Sequence, residues 1–193
     1  MREGWLRKTR ESARVAETLM ETDGDRLDAC VDAMTERFAR GGRLLTMGNG
    51  GSACDALHMV VEFQHPIIEK RRALPAMALA ADVATLTAVG NDGDFSMVFV
   101  EQLRVLGRPE DIALGISTSG QSANVTRALT AAREMGMLTV AFSGRDGGRV
   151  ASIAEYCFVA PSFSIHRIQE THTLLLHLLW DELQVRLGAD DVL

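Results

Sequence analysis

Ile112-Ala113-Leu114-Gly115-Ile116-Ser117-Thr118-Ser119-Gly120-Gln121-Ser122 decides between fold classes. A short apolar run without alternation passes into small hydroxyl residues and then into a segment of helix length, about 121–135. Strands that are apolar on both sides are buried on both faces, which is the habit of parallel sheets. The same order recurs outward from this stretch. Leu44-Leu45-Thr46-Met47 leads into Gly48-Asn49-Gly50-Gly51-Ser52, and residues 76–80 follow Pro75. Residues 138–142 lead into Ser143-Gly144, and residues 156–159 into Ala160-Pro161. Segments of helix length at 52–64, 83–104 (broken near 90–95), 121–135 and 146–153 separate these runs. The pattern predicts an α/β fold: a three-layer αβα sandwich on a five-stranded parallel sheet.

A last helix is predicted over 167–187, apolar nearly all round in its middle and therefore buried in a core or a subunit interface. Ahead of the sheet, Val15, Leu19, Leu27, Val31, Met34 and Phe38 recur at helical spacing within residues 4–40. Thr22-Asp23-Gly24-Asp25 predicts a break between two helices there.

The chain has 193 residues, about the length of one domain. Hydrophobic residues make up 47% and charged residues 24%, which excludes disorder. Lys+Arg number 20 and Asp+Glu 26, so the net charge is 20 − 26 = −6. The longest basic run is Lys70-Arg71-Arg72, so no nucleic-acid partner is expected. No apolar run is long enough to span a bilayer, and the charged stretch from Met1 to Arg10 is no secretory signal. Cys30, Cys54 and Cys157 are odd in number and widely spaced, as expected of reduced thiols in a cytoplasmic protein.

Two loops at the C-terminal ends of strands combine small residues, hydroxyls and a helix start: Gly48–Ser52 and Ser117–Ser122. Amides at a helix N-terminus make an anion site, and hydroxyls add donors. N-capping and turn formation are the structural alternatives. Four hydroxyls within six residues exceed what capping needs. Neither loop has the lysine of a P-loop, and Gly48-Asn49-Gly50-Gly51-Ser52-Ala53 matches a dinucleotide fingerprint poorly.

His58 and Glu62 are four apart on the predicted helix after the first loop and share a face. Gln169 and His177, eight apart, share a broad side of the last helix. An imidazole and a carboxylate suit proton transfer at neutral pH. The same four side chains could instead hold a divalent metal, although glutamine is an uncommon ligand.

Gly48-Asn49-Gly50-Gly51-Ser52-Ala53-Cys54-Asp55, Gly90-Asn91-Asp92, residues 114–124, Gly147-Gly148 and Arg167-Ile168-Gln169-Glu170 together resemble the phosphoheptose isomerases of the sugar-isomerase (SIS) superfamily. The resemblance runs from about residue 10 to 188 with the motifs in order. It implies a single SIS domain over 1–193, with N-terminal helices over 1–40 and the αβα core over 41–188. It implies conversion of sedoheptulose 7-phosphate to a heptose 7-phosphate for nucleotide-activated heptoses. It also implies a cytoplasmic homotetramer with active sites shared between subunits.

By matched motif, Ser52, Ser117, Thr118, Ser119 and Ser122 would hold the phosphate. Asn49, Gly51 and Asp92 would line the sugar site. Glu62 would be the base, His177 the acid, and Gln169 would orient the enediol. Some members carry zinc on the residues matching His58, Glu62, Gln169 and His177, so one zinc per subunit is expected.

Two positions depart from the family pattern. Pro66 stands where many members have an arginine four residues after the base, and His166 where many have an aspartate before Arg-Ile-Gln-Glu. Pro66 should also end its helix early, and Arg71, Arg72 or His65 could supply the missing charge. The alternatives are an isomerase of another sugar phosphate and a non-catalytic SIS protein of the kind that binds the replication initiator. That relative lacks the Glu and His found here as Glu62 and His177.

Overall fold

The computed structural model describes residues 2–68 and 71–191. Lys70 of the basic run lies outside them. Five strands form one sheet: β1 Leu44–Gly48, β2 Ala76–Ala78, β3 Ile112–Ser117, β4 Leu138–Gly144 and β5 Tyr156–Ala160. Their order is β2-β1-β3-β4-β5, and every neighbouring pair is parallel. The helices are α1 Arg2–Ala39, α2 Gly51–Gln64, α3 Val83–Asp92, α4 Val98–Leu106, α5 Ala123–Glu134, α6 Val150–Ile153 and α7 Ile165–Arg186, with a 3-10 turn at Phe95–Met97.

Alternate residues of each strand serve opposite faces. Leu44, Ile112, Leu114, Val140 and Phe142 pack with α1, α2 and α7. Leu45, Met47, Ala113 and Ala141 pack with α4, α5 and α6. Both faces are covered, so the strands read as unbroken apolar runs.

From β1 the chain crosses to β2 on one side, and β3 then pairs with the other side of β1. Gly48 and Ile116 are partners in register, so the two strands end nearly level. The loops after them part to opposite faces, into α2 and α5. That parting opens a crevice where parallel sheets bind ligands.

The N-terminal segment is one helix, not two. Thr22 bonds within the helix to the Thr18 carbonyl at 2.7 Å, and Arg26 pairs with Asp23 one turn away. Gly24 costs a helix about 1 kcal/mol. Leu19 and Leu27, both buried on either side of it, outweigh that cost. The segment predicted over 146–153 is a turn followed by only four helical residues, because positive φ at Gly147 and Gly148 delays the helix. Strand β2 is shorter than its apolar run, which turns away at Leu79-Ala80. The last helix starts two residues before Arg167. Helix α2 ends at Gln64, ahead of Pro66, as that proline requires.

Candidate active site

Ser117 closes β3, and Ser122 occupies the N-cap position of α5. Ser122 makes no side-chain cap bond. Its Oγ lies 3.0 Å from Ser117 Oγ. Ser119 Oγ accepts from the Gln121 amide at 3.2 Å. Capping therefore does not account for the hydroxyls, and the end of α5 keeps its attraction for an anion. Gly50, at the N-cap of α2, offers no side chain either.

The loop's shape is set by a second loop beneath it. Gly120 has φ +63, and a Cβ there would sit 2.0 Å from the Gly147 carbonyl oxygen. A Cβ on Gly148 would sit 2.5 Å from the Ser119 carbonyl oxygen. Ser143 Oγ shares its hydrogen between the Ser117 and Gly147 carbonyls, at 3.2 and 3.0 Å. Across the crevice, Asn49 and Asn124 exchange two amide bonds of 2.9 and 2.8 Å, tying the β1 loop to α5.

Helices α2 and α7 lie side by side and run in the same direction. Gly51 faces Gln169, whose Nε2 would be 2.2 Å from a Cβ on Gly51. One turn on, Thr173 Oγ1 donates to Asp55 Oδ1 at 3.2 Å. At the next step His58 Nε2 and His177 Nε2 are 3.3 Å apart, with the rings edge to face. Glu62 Oε1 is 3.3 Å from His58 Nε2. The ligand atoms of His58, Glu62 and His177 all lie within 4.8 Å of one another.

That spacing suits a metal. Tetrahedral zinc with bonds of about 2.0–2.1 Å sets its ligand atoms about 3.3 Å apart. Two nitrogens and a carboxylate oxygen are also the donors zinc prefers. Gln169 lies two turns before His177, with its amide resting on Gly51.

Ser52 is buried in the first turn of α2, and Thr118 lies half-buried in the hydroxyl loop. Asp92 stands apart at the exposed end of α3. Its carboxylate accepts from Asn91 at 2.8 Å, and among the described residues no hydrogen bond joins it to either loop.

Four contributors were not singled out from the sequence. Asp55 sits between the Gln169 and His177 levels, with burial pushing its carboxyl pKa up and Oδ2 without a partner. Its position three before His58 was the available signal. Asn124 and Ser143 act through partners distant in sequence. His172 is wholly buried and donates from Nε2 to the Ser143 carbonyl at 2.8 Å; burial lowers its pKa to about 4. Of the candidates to replace the missing arginine, Arg71 is buried, ion-paired with Asp181, and stacked 4.7 Å from the Trp180 ring centre. Its charge is therefore committed inside the fold. The Arg72 backbone is bonded on both sides by the Gln184 amide. Among the described residues, no helix is long and apolar enough to cross a membrane.

The SIS domain family matches residues 9–144. The phosphoheptose isomerase of Aquifex aeolicus is 44% identical over 170 residues, covering 88% of this chain and 89% of that protein. The structure of the phosphoheptose isomerase from Neisseria gonorrhoeae superposes with TM-score 0.88 at 37% identity, covering 95% of this chain and 98% of that one. That from Francisella tularensis gives 0.86 at 32% identity, covering 95% and 97%. With the hydroxyl loop and the His58–Glu62–His177 cluster in place, this chain belongs to the phosphoheptose isomerase family of SIS-domain proteins.

Proposed function

We propose that this chain, as one SIS domain, interconverts sedoheptulose 7-phosphate and an aldoheptose 7-phosphate in the cytoplasm, for the synthesis of nucleotide-activated heptoses. The observation that carries this reading is the convergence of His58, Glu62 and His177 from α2 and α7, in a chain that also carries the uncapped hydroxyl loop at the end of β3.

Ser52, Ser117, Thr118, Ser119 and Ser122, with the amides at the helix starts, hold the phosphate. Binding far from the reacting carbons fixes where C1 and C2 lie. Asn49, Gly51 and Asp92 line the sugar. Glu62 takes the proton from C1 and returns it to C2. His177 supplies a proton to the ring or carbonyl oxygen, so that the enediol forms without a free oxyanion. Gln169 orients that enediol. The carbon-bound proton moves from C1 to C2, and the C1 hydroxyl returns to His177 the proton given to the C2 oxygen, so that nothing is gained or lost.

His58, Glu62 and His177, with Gln169 as the fourth donor of the expected set, would hold one zinc per subunit. Bound zinc would polarise the substrate oxygens. Homotetramers with shared sites complete the reading. Purified chain with sedoheptulose 7-phosphate should form the aldose, and no turnover with or without zinc overturns the proposal.

Pro66 and His166 favour a second question, the identity of the sugar. Turnover compared across pentose, hexose and heptose phosphates settles which is preferred.

A further inference from the structure

His172 is wholly buried and has no part in the proposed chemistry. Its Nε2 donates to the Ser143 carbonyl at 2.8 Å, while Nδ1 is buried and has no hydrogen-bond partner among the described residues. Its ring centre lies 5.9 Å from that of Phe142, so an apolar side chain would suit the packing there. A ring nitrogen shut away without a partner is a cost that a leucine would not carry. Packing alone therefore does not account for the histidine, and its one bond must. That bond lands on a loop held in an unusual shape. Arg145, exposed and two residues beyond Ser143, has a φ of 59, the only positive φ outside glycine among the described residues. Such backbone persists only where its surroundings fix it, and it gathers at ligand sites.

The fixing comes from α7 on one side and reaches the hydroxyl loop on the other. Ile168 and His172, one turn apart on α7, meet Gly144 and Ser143: a Cβ on Gly144 would sit 2.5 Å from Ile168 Cδ1. Ser143 Oγ in turn bonds the carbonyls of Ser117 and Gly147. The Gly147 carbonyl faces Gly120, and the Gly120 carbonyl accepts from the Val150 amide at 3.1 Å. We infer that His172 is a positioning residue for the phosphate site: by holding the Ser143 carbonyl it sets the floor under Gly120, and with it the placement of the Ser117–Ser122 hydroxyls. The inference rests on the proposed phosphate role of that loop and deepens it. His172 lies three residues after Gln169 and five before His177. At about 1.5 Å per residue, those two are about 12 Å apart along one rigid helix. The same helix thus sets the reach between the phosphate and the reacting carbons, and His172 acts on binding rather than on the proton.

Two substitutions separate positioning from packing. His172→Leu removes the donor, and His172→Gln keeps an amide that can reach the same carbonyl. The full chain is titrated with inorganic phosphate and its turnover of sedoheptulose 7-phosphate is measured, both at neutral pH, with each variant's fold checked by circular dichroism. His172→Leu should weaken phosphate binding about tenfold, a change of about 1.4 kcal/mol. It should raise KM alike, with kcat within about twofold of the parent. His172→Gln should recover most of the lost affinity. Unchanged phosphate binding and KM in His172→Leu, a fall in kcat alone, or a glutamine that restores nothing would overturn the inference. Should His172→Leu fail to fold, Ser143→Ala keeps the histidine and removes the hydroxyl between the loops. It should show the same loss, and unchanged affinity there overturns the inference equally. A parent that binds phosphate without turning over the sugar rejects the catalytic reading alone. A parent that binds no phosphate rejects the hydroxyl loop as its site, and this inference with it.

Discussion

At the ends of β1 and β3 backbone packs closely on backbone, whereas along α2 and α7 every contact is made by a side chain. The hydroxyl loop is clamped where Gly120 and Gly148 pass within a Cβ's radius of facing carbonyls. The seam between the helices is a row of single contacts, one per turn, partly open to solvent. The loop proposed to bind the phosphate is built on rigid peptide units. The groups proposed to pass protons sit on flexible stems, set at the helical pitch. The first region should therefore fail structurally when altered, and the second chemically.

The largest effect should come from the seam. Glu62→Gln or His177→Ala should lower kcat by about 10²–10⁴-fold, with the thermal midpoint nearly unchanged. Retained turnover in either would erase the distinction between the regions. Next, Gly120→Ala places a methyl against the Gly147 carbonyl at positive φ. It should cost at least about 2 kcal/mol of stability in denaturant unfolding, with a higher KM in what remains folded.

The third prediction concerns the bond that ties the two regions together, His172 to the Ser143 carbonyl. Its folded pKa of about 4 lies below the unfolded value of 6.5, so the unfolded chain takes up the proton first. Stability should be full above about pH 6.5 and fall by up to about 3 kcal/mol as pH drops to about 4. His172→Gln should flatten that acid limb, read as midpoints at pH 7 and 4.5. An unchanged slope would show that the proton is taken up elsewhere. The smallest effect is Ser119→Ala, which should raise KM about fivefold with kcat unchanged, the loss of about 1 kcal/mol for one hydrogen bond.

The strands and the last helix were legible in the sequence because burial on two faces leaves a one-dimensional trace. The resemblance to phosphoheptose isomerases pointed to the residues that form the cluster for the same reason, since motif order survives in sequence. The continuity of α1 was not legible. Gly24 reads as a breaker locally, and only the tertiary burial of Leu19 and Leu27 overrides it. The four-residue α6 was lost to two glycines whose φ is imposed by a neighbouring loop. Asn49 with Asn124 lies 75 positions apart, and His172 with Ser143 29. Such pairs leave no local pattern to read.

The parallel run of α2 and α7 has a consequence for the order of events during synthesis. The partners across that seam are 118 and 119 positions apart, and α7 follows every strand of the sheet. A nascent chain can pair its strands and shape its hydroxyl loop before α7 has been made. Until α7 docks, Met59 and Phe63 lack the cover of Leu175, Leu176 and Leu179, and one face of the sheet stays partly bare. Such intermediates are prone to aggregate. Docking of α7 thus closes the core and brings His177 to His58 and Glu62 in a single step, so that the proposed chemistry would begin only in molecules that have finished folding.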